Sequence, residues 1–206
     1  TSAYNEAINL SQLNSTSWES QPALSADGQQ LYFVRAFRSK ESNELVQDIY
    51  ISERNEAGLW MQPSRLSDVI NTAGREENPF LHSDGVSLYF ASDGLPGMGG
   101  MDLYVSRKYE AGSWSTPENL GYPINTSGDE NSLQVFADGR HAIFATDREE
   151  PGNLDLWEFE LPEAVSANAV ALWQGGVFDS KTRTPVSARV QVLNKAGVIL
   201  STQRSN

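Results

Sequence analysis

A chain that repeats itself every 53–57 residues has few folds open to it, and this 206-residue chain does so. The segment "QPALSADGQQLYFVRA" (21–36) returns as "NPFLHSDGVSLYFASD" (78–93) and, more weakly, as "SLQVFADGRHAIFATD" (132–147). Its Asp-Gly pairs are Asp27 with Gly28, Asp84 with Gly85, and Asp138 with Gly139, spaced by 57 and then 54 residues. A second landmark follows each pair: Asp48 in "DIYIS", Asp102 in "DLYVS" and Asp155 in "DLWEF", spaced by 54 and 53. A third, Trp-x-x-Pro-x-x-Leu, begins at Trp60 and at Trp114, again 54 apart, and Tyr4, Ala7 and Leu10 keep the same register. Several landmarks sharing one period and one phase define a repeated supersecondary unit.

The physics of one unit is readable. "QLYFV", "SLYFA" and "HAIFA" are short, aromatic-rich and apolar on both faces, so each reads as an inner strand covered on both sides. The Asp-Gly pair before it is a tight-turn signal, because glycine takes positive φ without a steric penalty. Each unit therefore predicts a strand, an Asp-Gly hairpin, the inner strand, a longer loop, the Asp-apolar-aromatic strand and an outer Trp/Pro/Leu strand. Four antiparallel strands per repeat predict an all-β fold, a β-propeller of four-stranded blades. Three blades fall at about 14–66, 71–120 and 125–161, with 1–13 as the outer strand of another blade. The recurring Trp60 and Trp114 read as packing anchors for the outer strands. Since closed propellers typically have about 4–8 blades, either further blades lie upstream in a longer protein, the preferred expectation, or two chains assemble six.

Residues 162–174 read as a small, weakly apolar linker. Beyond them, 175–206 switch to "GGVFDSKTRTPVSARVQVL", where Ala188, Val190 and Val192 alternate with Arg189 and Gln191, a strand pattern. Charge shifts there too. Residues 1–175 carry 26 Asp and Glu against 10 Lys and Arg, whereas 176–206 carry one acid against five bases, within a net charge of −12. An acidic main body repels nucleic acid and anionic lipid, so neither is an expected partner. No apolar run reaches the roughly 18 residues of a membrane span, so no direct membrane insertion is expected. The chain has no cysteine, which excludes disulfides and thiolate chemistry.

"SADGQQLYF…DIYIS" and "HSDGVSLYFASD…GMGGMDLYVS" resemble the Asp-Gly propeller repeats of TolB-type proteins. More narrowly, "ASDGLPGMGGMDLYVSRKYEAGSWSTPENLGYPINTSGDEN" is similar to propellers of multi-domain OmpA-family proteins, especially of Bacteroidetes-like bacteria. In those proteins a carboxypeptidase-regulatory-like (CnaB-type) β-sandwich commonly follows, and "GGVFDSKTRTPV" is similar to its start, truncated here. The resemblance implies a cell-envelope protein, periplasmic and associated with the outer membrane, whose propeller rim docks other envelope proteins. It implies peptidoglycan binding only through a domain outside these residues.

No catalytic or cofactor-binding residue is expected. The glycine-rich loop "SDGLPGMGGMDLYVS" superficially suits a phosphate cradle, but a strand follows it where an anion site needs a helix amino terminus or a Lys-Ser/Thr pair. The equivalent loops, "AFRSKESNELVQ" and "REEPGN", join the same two strands, so the loop reads as a hairpin connection. "NTAGREENP" and "NTSGDENS" align Glu19, Glu76 and Glu130. These read as carboxylates accepting hydrogen bonds within their own blades; a Ca²⁺ site, needing about 6–8 oxygen ligands, is the alternative. His82 and His141 occupy non-equivalent positions and read as solvated or rim residues. The resulting expectation is a non-enzymatic protein-binding and scaffolding module. The alternative is a carbohydrate-active or other hydrolytic propeller using rim or channel carboxylates.

Overall fold

The structure, a computed structural model, describes residues 6–40, 42–171, 175–193 and 195–205. Tyr4 lies outside them. The regular secondary structure of the described residues is β-strand apart from one short 3-10 turn at Glu163–Val165. They form two compact units, 1–170 and 171–206.

In the first unit, β1 (Trp18–Leu24), β2 (Gln30–Arg38), β3 (Leu45–Glu53) and β4 (Ser64–Arg65) pair in chain order into one antiparallel sheet. The next repeat builds a second four-stranded sheet from β5 (Glu76–Leu81), β6 (Ser87–Ser92), β7 (Asp102–Arg107) and β8 (Glu118–Asn119). The third contributes three strands: β9 (Glu130–Val135), β10 (His141–Thr146) and β11 (Asp155–Glu160). Each strand that is apolar on both faces takes the second place in its sheet, and β6 is buried along its whole length.

Those double faces explain the stacking. Tyr32, Val34 and Ile49 of the first sheet pack against Leu88, Phe90 and Tyr104 of the second. The opposite face of the second sheet, with Tyr89, Leu103 and Val105, packs against Leu133, Ala142 and Phe144 of the third. A smaller cluster, Leu13, Leu31, Phe33 and Trp60, covers the remaining face of the first sheet.

Among the described residues, 6–13 pair with no neighbouring strand. Residues 162–170, expected as linker, are docked on the first unit. Leu161 and Val165 are buried in the core between the second and third sheets, Ala167 N–H donates to Gly139 O, and Val170 N–H donates to Ala137 O. The segment looks weakly apolar in sequence, but its few apolar side chains meet a ready-made surface.

In the second unit, β12 (Arg189–Leu193) pairs antiparallel with β13 (Ile199–Arg204). Val190 and Val192 stay about half exposed, at 42% and 48%.

Candidate functional site

The three Asp-Gly turns are built alike. Gly28, Gly85 and Gly139 take φ of 68°, 75° and 76°, and each donates its N–H to the carbonyl three residues earlier. Asp27, Asp84 and Asp138 each accept from the backbone N–H two residues on, at 2.9–3.0 Å. The Asp side chain thus closes the turn that the glycine permits.

The repeated glutamates form a second set of nodes. Glu130 accepts from Thr126 N–H, Thr126 Oγ1 and Thr146 Oγ1, and Glu76 accepts from Thr72 N–H, Thr72 Oγ1 and Ser92 Oγ. Both carboxylates are fully buried. Glu19 accepts from Ser15 and pairs with Arg35 at 2.8 Å. Among the described residues, no group of three or more His, Asp and Glu is placed to hold a metal ion.

The Asp-apolar-aromatic aspartates diverge in use. Asp48 takes a two-pronged pair from Arg65, at 2.6 and 3.1 Å. Asp102 sits at the same place in the second sheet, but Asn119 replaces the arginine. Asp102 instead accepts from Met98 and Gly99 N–H, leaving Oδ1 buried without a partner. Asp155 is exposed. The glycine-rich loop joins β6 to β7, and its glycines are packing positions. A Cβ on Gly97 would collide with the Asp102 carboxylate, one on Gly99 with the backbone at Gly128, and one on Gly94 with Thr72.

Two asparagines escaped the sequence reading as structural parts. Asn71 Oδ1 accepts from Ile49 N–H at 2.7 Å while its Nδ2 donates to Ile49 O at 3.0 Å. Asn125 grips Leu103 in the same way, at 2.8 and 2.9 Å. Their signal was visible as the recurring "NT" five residues before each buried glutamate.

His82 corrects the rim expectation: it is buried, whereas His141 is exposed and bound to Asp138. His82 Nε2 lies 2.9 Å from Phe136 O, just past the end of β9, and its Nδ1 is 3.5 Å from Asp84 Oδ1. Asp84 also accepts from Ser87 Oγ and from Asn168 N–H, and Arg107 donates to Ser166 O, so this cluster fastens the 162–170 segment. Burial pushes the His82 pKa down, but its bonds to Asp84 and Phe136 outweigh that and leave it raised. Burial pushes Asp84 up, yet the bonds from His82, Ser87 and Asn168 hold it well below the usual carboxylate range. Asp84 therefore adds stability above its unfolded pKa of about 4, lost as pH falls through its depressed folded value. His82 adds stability below its unfolded pKa of about 6.5, lost as pH rises through its raised folded value. Thermal melts should show the Tm difference between wild type and His82→Gln shrinking as pH rises from 6 to 9. A difference that stays constant over that range removes the role.

A repeated backbone feature lies on β1, β5 and β9, the first strands of the three sheets. Gln21, Asn78 and Ser132 occupy equivalent positions and all take left-handed backbone, φ 53°, 51° and 56°, at points where the strand register shifts. A non-glycine residue there costs about 1 kcal/mol or more, so its threefold recurrence marks a built feature. Gln21 Oε1 accepts from Asn78 N–H at 2.7 Å, and Ser132 Oγ donates to Asn78 Oδ1 at 3.3 Å. These residues line a cleft of about 340 Å³ together with Pro79 and Phe80.

No family model matches the sequence, and no curated protein matches it. Among solved structures, the crystal structure of the tricorn protease is similar, with a TM-score of 0.41 and 11% identity. The match covers 73% of this chain and 17% of that one, so this chain spans less than a fifth of its length.

Proposed function

We propose that the three sheets are blades of a TolB-type β-propeller and that the chain is a non-enzymatic protein-binding and scaffolding module. The compartment that goes with this reading is the bacterial cell envelope, periplasmic and associated with the outer membrane, in an OmpA-family protein. The β12–β13 pair is then the opening of a CnaB-type β-sandwich.

The observation that carries the binding role is the row of Gln21, Asn78 and Ser132 around its cleft. The buried glutamates are committed to backbone and hydroxyl donors of their own repeats. The row instead offers amide and hydroxyl groups beside Phe80, a mixture suited to an extended peptide, with polar groups orienting it and apolar surface holding it.

A photo-crosslinking residue at Ser132, in the protein expressed in its native cell, should join a discrete envelope protein. The same residue at Glu56, on a remote exposed turn, should not. Hydrolysis of a glycan or peptide by the purified chain, abolished by one Asp→Ala or Glu→Ala change, would replace this reading with the hydrolytic one.

A further inference from the structure

The two asparagine clamps have an unfilled third counterpart. Asn71 closes the junction between the first and second sheets by gripping Ile49, and Asn125 closes the next by gripping Leu103. Each follows a tight turn in which the residue before the asparagine donates its N–H to a carbonyl three residues back: Ile70 to Ser67, and Ile124 to Gly121. The same turn recurs at the amino-terminal end, where Leu13 N–H donates to Leu10 O at 2.8 Å, and Asn14 comes next. Ser15 and Glu19 then repeat the hydroxyl-to-glutamate bond of Thr72 with Glu76. Asn14 thus occupies the clamp position, yet it is exposed and, among the described residues, its side chain bonds to Asn9 alone.

The surface such a clamp would grip is equally vacant at the other end of the stack. Leu156 stands where Ile49 and Leu103 stand, and it is 80% exposed where both of those are fully buried. Beside it, Leu154 is 50% exposed where its equivalent, Met101, is 4%. Among the described residues no strand pairs with the outer edge of β11, whereas β3 is bordered by β4 and β7 by β8. One chain therefore carries both a free clamp and the free strand that fits it, on opposite ends of the same series of sheets.

We propose that a second copy of this chain docks head to tail on the third sheet, with its Asn14 gripping the N–H and C=O of Leu156. The residues just before its Leu10 lie along β11 as β4 lies along β3. The apolar pocket that its Leu10, Leu13, Leu31 and Phe33 line receives Leu154 and Leu156, continuing the two sheet-to-sheet junctions already present. The contact joins two different surfaces, so it is heterologous and closes only if the rotation between copies permits. It rests on the sheet packing and is independent of the peptide-binding reading.

Light scattering on the 206-residue chain at about 0.1 mM, a concentration sensitive to micromolar association, should give a mass of at least two copies. Asn14→Ala and Leu156→Glu should each weaken association by about tenfold or more. Both side chains are exposed within one copy, so circular dichroism and melting of the separated variants should match the wild type. Mixing the two variants should restore dimers, since the Asn14→Ala copy keeps Leu156 and the Leu156→Glu copy keeps Asn14. A monomeric wild type overturns the proposal, as does a dimer that survives both changes. Loss in each variant without recovery on mixing overturns it too, because that result belongs to a symmetric contact.

Discussion

Glu76→Ala should cost the first unit about 3 kcal/mol or more, because buried donors that lose their acceptor cost about 1–3 kcal/mol each. The carboxylate is fully buried and takes three donors, Thr72 N–H at 2.8 Å, Thr72 Oγ1 at 2.7 Å and Ser92 Oγ at 2.8 Å. Alanine leaves all three without an acceptor at the junction where the loop before β5 meets β6. Burial holds the Glu76 pKa above its ordinary value, against the pull of those donors. The folded state therefore resists ionising it, and this group's contribution weakens as pH rises from its unfolded pKa towards the raised folded one. Glu76→Gln removes the ionisation cost and keeps one carbonyl for the hydroxyls, while its amide NH₂ opposes Thr72 N–H. The glutamine variant should therefore fall between wild type and alanine in urea unfolding. An alanine variant within about 1 kcal/mol of wild type would show that the node carries no stability.

Trp114→Ala should be of similar size, about 3–5 kcal/mol for emptying a large buried aromatic site. Trp114 bridges to Lys108 at the end of the second sheet and meets Tyr32 of the first sheet edge-on, centroids 6.4 Å apart. It belongs to the core shared by those two sheets. The sequence reading made it an anchor for its own outer strand; the structure adds that it ties one repeat to the one before. Trp60, its counterpart, packs in the smaller outer cluster with Leu13, Leu31 and Phe33, under the Arg54 guanidinium. Trp60→Ala should therefore cost less in the isolated chain. Melting curves showing equal losses would deny the role of the neighbouring sheet.

The parts legible in advance share a physical origin. Asp27, Asp84 and Asp138 act on backbone groups two or three residues away, so the turn is specified where the letters stand. The strands around Phe33, Phe90 and Phe144 are likewise announced by apolar residues on both faces. The glycine-rich loop is legible as a connection once its sister loops are aligned, although its glycines serve a purpose that only contact reveals. Gly99 is needed because the backbone at Gly128, in the next repeat, passes against it.

The residues misread or passed over act across long stretches of chain. His82 looks like a rim residue beside a turn, but Phe136 O, 54 residues later, and the segment bonded to Asp84 from Asn168 bury it. Asn71 and Asn125 carry no local sign of their role beyond their recurrence; each reaches back 22 residues to grip a strand. Asp48 and Asp102 match in sequence but differ in partner, because Arg65 spans a gap that Asn119 leaves open.

Period, turn chemistry and strand order are local properties, set by interactions within a few residues, and the sequence alone was enough to determine them. Which glutamates, histidine and asparagines are buried, and which edge of the stack stays open, depended on the packing of one repeat on the next. That packing brings together groups far apart in the chain, whose meeting no local preference encodes.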